Sequence, residues 1–524
     1  MLDLRLVNAN VLTMDPARPV ARELGIWRGR IVGLDEQLTT LPAARTVDLD
    51  GATVLPGFVD AHVHLAWTGL RAAAANIAPC RRVDDVLAAI GRAARRRPAG
   101  EWVDIVGYDQ RPLRRHLTAA ELDTVSAGRK VFVVHDSGHA CVVDSSVLAL
   151  LPLGVEHDDG LLAEQGMAAV RRLRQPYPIG ELVDAIERAG RTCLAEGVTA
   201  AAEAGIGGGL VSHSPVELAA YQQAHGQGRL PIRVRLMVAG GALRPAGAHQ
   251  SDGIPRAIDL GMRTGFGGER LALGALKIFT DGGMMARTAA LTSPYAGTDN
   301  LGQLFDDPRE LTALIVDGHR AGWQLAVHAI GDRAVDVTLD ALGEARRRYP
   351  RSGTRHRVEH AGLVRPDQLA RFAEVGATAV VQPNFLWYSG DDYARIMGPD
   401  RENWLYRGKA FLEHGIPLAG SSDRPVTAGA PLRAIQVMVE RRTCSGRPIG
   451  PGEAITVEQA LRAYTADAAR ACLLDDAGTV RPGNVADLVV LTDDPTRVDP
   501  GRIADLDIVA TVVAGEIAHG TPLW

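Results

Sequence analysis

Lysine is almost missing from this 524-residue chain: among its 57 basic residues, only Lys130, Lys277 and Lys409 are lysine and the rest are arginine. Cysteine is sparse as well. Cys80, Cys141, Cys193, Cys444 and Cys472 form no Cys-x-x-Cys pair, so free thiols in a reducing, cytoplasmic setting are expected. No apolar run reaches the length of a membrane span. The opening Met1-Leu2-Asp3-Leu4-Arg5 lacks a basic region followed by a long apolar one, so no signal peptide is expected. A net charge of -5 points to neither a nucleic-acid partner nor a membrane surface. There is no low-complexity tract and no repeat of solenoid period.

What is present is an ordinary globular composition, 46% apolar, in a chain long enough for a large barrel plus an accessory domain. Residues 1–55 read as short strands (Leu4–Val7, Gly25–Trp27, Arg30–Leu34, Ala52–Leu55), and the tail has the same texture at Ala486–Leu491, Ile508–Val513 and Glu516-Ile517. Two β-rich ends around an α/β middle predict one small β-sandwich domain formed by residues 1–55 and 475–524. Residues 56–474 alternate strands with helices such as Ala334–Tyr349 and Pro366–Val375. So many βα units predict a (β/α)8 TIM barrel. Residues 66–190 read largely as an insertion after the first barrel strand.

In such barrels the reacting groups sit at the C-terminal ends of the strands. The first strand ends Asp60-Ala61-His62-Val63-His64. Residues i and i+2 of a strand share a face, so the two imidazoles would project together. Later strand ends carry Lys277, His328, His360 and Asp423. A lone strand-end histidine is usually a hydrogen-bonded core residue. Metal-ligand types recurring at the same end of successive strands are better explained by a metal centre.

Lys277 lies in Ala275-Leu276-Lys277-Ile278-Phe279, where an unpaired ammonium is costly to bury. It is either salt-bridged, with Asp281 as the candidate partner, or a neutral amine able to take up carbon dioxide as a carbamate. An arginine stays protonated and cannot do this. Asp423 is a candidate ligand and a candidate general base for a water whose pKa a metal lowers to about 7; a turn aspartate before Pro425 is the alternative.

Long motifs then match a known family. Pro56–His64, Lys277-Ile278-Phe279-Thr280-Asp281-Gly282, His328–Ala334, Arg357-Val358-Glu359-His360-Ala361, Val381-Gln382-Pro383, Ser422–Val426 and Gly483–Leu491 resemble, in order, the amidohydrolase superfamily, and more narrowly its amidohydrolase 3 branch. The resemblance implies a divalent metal, usually zinc, as one or two ions. His62, His64 and Asp423 would hold one, His328 and His360 a second, and an N-carboxylated Lys277 would bridge them. It also implies a substrate contact from His139, within His135–Ala140, for which a turn histidine is the alternative. Asp144 stands where asparagine is expected, and Arg424 where a small or aromatic residue is commoner, so Arg424 is a candidate for substrate choice.

Three further readings stay open. Arg287 is either a clamp for a substrate carbonyl or carboxylate or a structural salt bridge. Trp387 and Tyr388 either wall a pocket or pack as a loop. Glu203 is either a partner for a ligating histidine or, the safer reading, a surface-loop carboxylate. The run Gly205–Gly209 has no Walker pattern and reads as a flexible loop. The expected activity is metal-dependent hydrolysis of an amide-type C–N bond in a small molecule. The alternatives are an aminohydrolase that deaminates a heterocycle, whose relatives use no such lysine, and an inactive binding protein. A homodimer is the base-rate expectation.

Overall fold

The computed structural model describes residues 1–136, 140–163, 165–208, 212–242 and 261–520. In one compact unit (residues 1–65, 190–212 and 221–524) stand eight parallel strands. In chain order they are β1 (Phe58–Val63), β2 (Val198–Ile206), β3 (Arg233–Ala239), β4 (Leu271–Phe279), β5 (Gln324–Ala329), β6 (Arg357–His360), β7 (Thr378–Val381) and β8 (Leu418–Gly420). Each pairs with its sequence neighbour. The strands are buried almost throughout, as expected where helices cover one face and side chains fill the other. The filling is small: Ala61, Ala200, Ala202, Ala275, Ala326 and Ala419 cluster with Val59, Met237 and Val380. The helix Ala466–Ala471 packs onto this cluster.

The ends of the sheet, β1 and β8, meet at their C-terminal side. The Asp423 amide donates to the His62 carbonyl at 2.8 Å, and the His64 amide to the Arg424 carbonyl at 2.8 Å. The sheet is therefore a nearly closed (β/α)8 barrel. The expected strand positions hold to within a few residues. One stretch differs. After β7 the chain enters the helix Pro383–Met397 directly, with proline at its first position. There proline's missing N–H and fixed φ favour helix initiation. Trp387 and Tyr388 thus lie on a helix rather than in a loop.

Both termini contribute to a six-stranded sheet in which Leu488–Leu491 pairs antiparallel with Thr53–Pro56. Leu4, Leu6, Leu24, Ile26 and Ile31 from a second, four-stranded sheet share one core with Val54, Leu488, Val490 and Val512. Arg233 of β3 donates to Asp487 at 2.6 Å, tying this sandwich to the barrel. The second compact unit, residues 66–189 with 213–220, has a five-stranded sheet of its own. Among the described residues no helix is long and apolar enough to cross a membrane.

The outer side of β5 and β6 is held by two buried histidines. The Leu325 amide donates to His356 Nδ1 at 3.0 Å, which leaves the proton of His356 on Nε2. That nitrogen meets His319 Nδ1 at 2.8 Å, and His319 Nε2 then donates to the Tyr349 carbonyl at 2.7 Å. Every position is filled with both rings neutral. Burial lowers the pKa of His319 and brings that of His356 down to about 3. An unfolded histidine titrates near ~6.5. Below that pH the unfolded chain takes up protons that the native pair refuses, so the pair's contribution is complete above ~6.5 and fades as pH falls toward 3. His356→Gln should lower the thermal midpoint at pH 7.5 and flatten its decline between pH 6.5 and 4.5. A decline as steep as in the unaltered protein would show that the pair is not kept neutral.

Candidate metal centre

The strand ends bring the six expected ligands into one buried cluster. One ligand atom each from His62, His64 and Asp423 lies within 4.8 Å of the other two. Asp423 Oδ1 is 3.1 Å from His64 Nε2 and 3.5 Å from His62 Nε2. Lys277 Nζ, from β4, is 3.4 Å from His62 Nε2. The His360 ring centroid lies 5.0 Å from that of His62 and 4.4 Å from that of His328.

Local backbone explains how short strands place these groups. His360 and Asp423 both take left-handed conformations, with φ of 72° and 54°. Such positions cost a non-glycine residue on the order of 1–3 kcal/mol and persist where the surroundings over-determine them. Asp60 does so for Asp423: its carboxylate accepts from the amides of Ser422 (3.0 Å) and His62 (3.2 Å) and from the Ser422 hydroxyl. Asp281 organises the loops beyond β4 and β5 by accepting from the amides of Ala290 (2.9 Å), Ile330 (3.0 Å) and Gly331 (2.8 Å). A Cβ on Gly331 would sit 1.9 Å from the Ala290 carbonyl oxygen, so this turn admits only glycine. Asp281 is therefore committed to backbone amides, and the salt bridge considered for Lys277 does not form. Lys277 has no ion-pair partner among the described residues and is 1% exposed.

Each imidazole is held from behind. Glu359 Oε2 meets His62 Nδ1. Gln382 Oε1 meets His360 Nδ1 at 2.8 Å, while its amide donates to the Ser421 hydroxyl at 2.9 Å. His328 Nε2 lies 3.3 Å from the Gly282 carbonyl. Glu203 is not a surface carboxylate. It is buried in β2, accepts from the Leu65 amide at 2.7 Å and from the Tyr221 hydroxyl, and reaches to 3.8 Å from His64 Nδ1.

Burial lowers the pKa of His62 and His360 well below the usual imidazole value, and that of His328 to about 3. Lys277 is lowered to about 8, again chiefly by burial, against the opposing pull of Glu359 and Asp423. At His64 burial also pulls downward, but Asp423 and Glu203 outweigh it and raise the pKa to about 9. The cluster therefore offers three neutral imidazoles with lone pairs and one site, between His64 and Asp423, where positive charge is favoured. Four imidazoles, a carboxylate and a lysine shielded from water fit a divalent cation of the zinc type.

The other candidates are placed elsewhere. Arg424 is buried with its guanidinium on Glu196; what it lends the cluster is its carbonyl, to the His64 amide. Arg287 is half-buried, accepts from Asn300 Nδ2 at 2.9 Å through its carbonyl, and forms no ion pair among the described residues. Trp387 lies under the Arg433 guanidinium, 4.3 Å from the ring centroid. His139 lies outside the described residues. Sequence reading missed Glu359, Arg357, Gln382 and Asp60. A signal existed for the first pair: two opposite charges at i and i+2, and so on one face, in a fully buried strand.

The profile of the amidohydrolase family matches residues 45–519. The chain is 29% identical to N-substituted formamide deformylase of Arthrobacter pascens, over 94% of this chain and 93% of that protein. It is 27% identical to the putative amidohydrolase YtcJ of Bacillus subtilis, over 91% of each. Among solved structures, an uncharacterized metal-dependent hydrolase from Pyrococcus horikoshii superposes with a TM-score of 0.80 at 27% identity, over 95% of this chain and 99% of that one. The chain belongs to the amidohydrolase family.

Proposed function

We propose that this chain hydrolyses the C–N bond of a small amide-type substrate, an N-formyl or N-acyl amine. The reaction would use a divalent metal, zinc by the character of the donors. The observation that carries the reading is the convergence of His62, His64 and Asp423 within 4.8 Å, with Lys277 against them. His62, His64 and Asp423 would hold one ion, and His328 and His360 a second where two are bound. A metal there supplies Lewis acidity toward a carbonyl and a water nucleophile at neutral pH.

The protein's own groups do the rest. The Asp423 carboxylate accepts a proton from the attacking water and returns it to the departing amine nitrogen. The neutral imidazoles keep their lone pairs on the cluster. The Lys277 amine adds to the carbon of carbon dioxide. An N–C bond forms, one C–O π bond opens, and a proton leaves to solvent. The carbamate so made carries negative charge where the ammonium carried positive, and offers two oxygens. The name of the Arthrobacter relative supports the amide class. Lys277 argues against a heterocycle deaminase, whose relatives place no lysine there. Five unpaired cysteines support a reducing, cytoplasmic setting.

Purified protein should contain about two equivalents of metal by mass spectrometry, and both Lys277→Ala and Lys277→Arg should reduce this to about one or less. Unchanged content in both variants would remove the lysine bridge. On a panel of N-formyl and N-acyl amines, Asp423→Asn should lower kcat by ~10²–10⁴-fold. A loss below about threefold would take the proton-transfer role away from Asp423.

A further inference from the structure

Arg357 and Glu359 form a buried ion pair that no step above uses. Arg357 Nε donates to Glu359 Oε1 at 2.7 Å and its Nη2 to Oε2 at 2.8 Å. Nη2 also donates to the Ala61 carbonyl at 2.5 Å. Arg357 is 1% exposed and Glu359 not at all. Burying such a pair is often no more favourable than packing apolar groups of equal volume, so stability alone does not account for it. The same Oε2 that faces the guanidinium faces His62 Nδ1. A carboxylate can only accept, so the proton between them sits on His62 Nδ1. The lone pair is left on Nε2, the nitrogen turned toward Lys277 and Asp423.

We propose that Glu359, anchored by Arg357, is a positioning residue for His62: it fixes the ring's tautomer and basicity, and through them the affinity of the centre for its cation. The proposal rests on the reading of His62 as a ligand. The two parallel N–H···O bonds of the guanidinium set the plane of the carboxylate. The bond to Ala61 anchors the guanidinium on β1, the strand that carries His62. The orientation of the ring is thus referred back to its own backbone. Hydrogen bonds of this kind to the far nitrogen of a ligating histidine raise its basicity and hold its geometry.

The test is zinc affinity, by competition with a chromophoric chelator, for the metal-free unaltered protein, Glu359→Gln and the double variant Arg357→Met/Glu359→Gln. The double variant removes both charges, so no buried ion is orphaned, and leaves a neutral acceptor opposite His62 Nδ1. Both variants should bind zinc ~10–100-fold more weakly, with the far-UV spectrum of the metal-free double variant unchanged. Affinities within about twofold of the unaltered protein would overturn the positioning role while leaving His62 a ligand. Failure of the unaltered protein to bind zinc would sink the ligand reading itself. A third readout needs no folded Glu359 variant. In ¹⁵N-histidine spectra of the metal-free unaltered protein, with His62 assigned by its loss in His62→Gln, that ring should show the Nδ1–H tautomer. The Nε2–H tautomer would overturn the proposal.

Discussion

Asp60 is a buried carboxylate that fastens the two ends of a sheet to each other. Its oxygens take up the Ser422 amide and hydroxyl from beyond β8 and the His62 amide on β1. Burial pushes its pKa up to about 6, against the pull of these three donors. A parallel sheet of eight strands has two edges with unsatisfied backbone groups, and closure removes both. Here closure has a chemical result. His62 and His64 belong to the start of the barrel and Asp423 to its end, and the meeting of those two ends brings their ligand atoms within 4.8 Å. The amide of Asp423 and the carbonyl of His62 share one hydrogen bond across that seam, so ligand geometry and barrel closure are the same constraint.

The upper end of the barrel gathers more ionisable groups than a protein interior tolerates unpaired. Most are answered individually: Asp281 by three amides, Arg424 by Glu196, Glu203 by an amide and a phenol. Lys277 is the exception. Lys130 reaches the Gly100 carbonyl near the surface at 2.6 Å, and the exposed Lys409 lies 3.7 Å from Glu413. Lys277 alone of the three is buried, and it faces an imidazole nitrogen rather than an oxygen. A carbamate would convert the unanswered positive charge into a negative one among donors that favour a cation, which settles the same imbalance from the other side.

The barrel was legible because most strands are short, largely apolar runs, and five of them carry a metal-ligand type at or close to their ends. The run Gln324–Ala329 is the clearest case, with His328 just inside its end. The convergence of the strand-end groups was legible for the same reason. What escaped depends on distance in sequence. Glu203 is kept out of solvent by Leu65 and Tyr221, and nothing in the residues around Gly197-Val198-Thr199 announces either. Arg424 follows Asp423 directly, yet its side chain is claimed by Glu196, far earlier in the chain. A local rule, by contrast, bears on Trp387 and Tyr388. Proline favours the first position of a helix, and Pro383 opens one here.

The centre holds two of its histidines in chemically different ways. His360 rests on Gln382, a neutral amide whose other end is held by Ser421. That arrangement fixes a ring without burying any charge. His62 rests on Glu359, and an acid there requires Arg357 beside it. If fixing the ring were all that mattered, a second glutamine would serve both positions and spare the protein two desolvated ions. A carboxylate adds what an amide cannot, full negative charge one imidazole away from any cation held at Nε2. His62 Nε2 also lies 3.4 Å from the Lys277 amine and 3.5 Å from Asp423 Oδ1. The charged support therefore stands behind the imidazole that lies beside Lys277, Asp423 and His360, where electron density given to one ring would bear on its neighbouring donors.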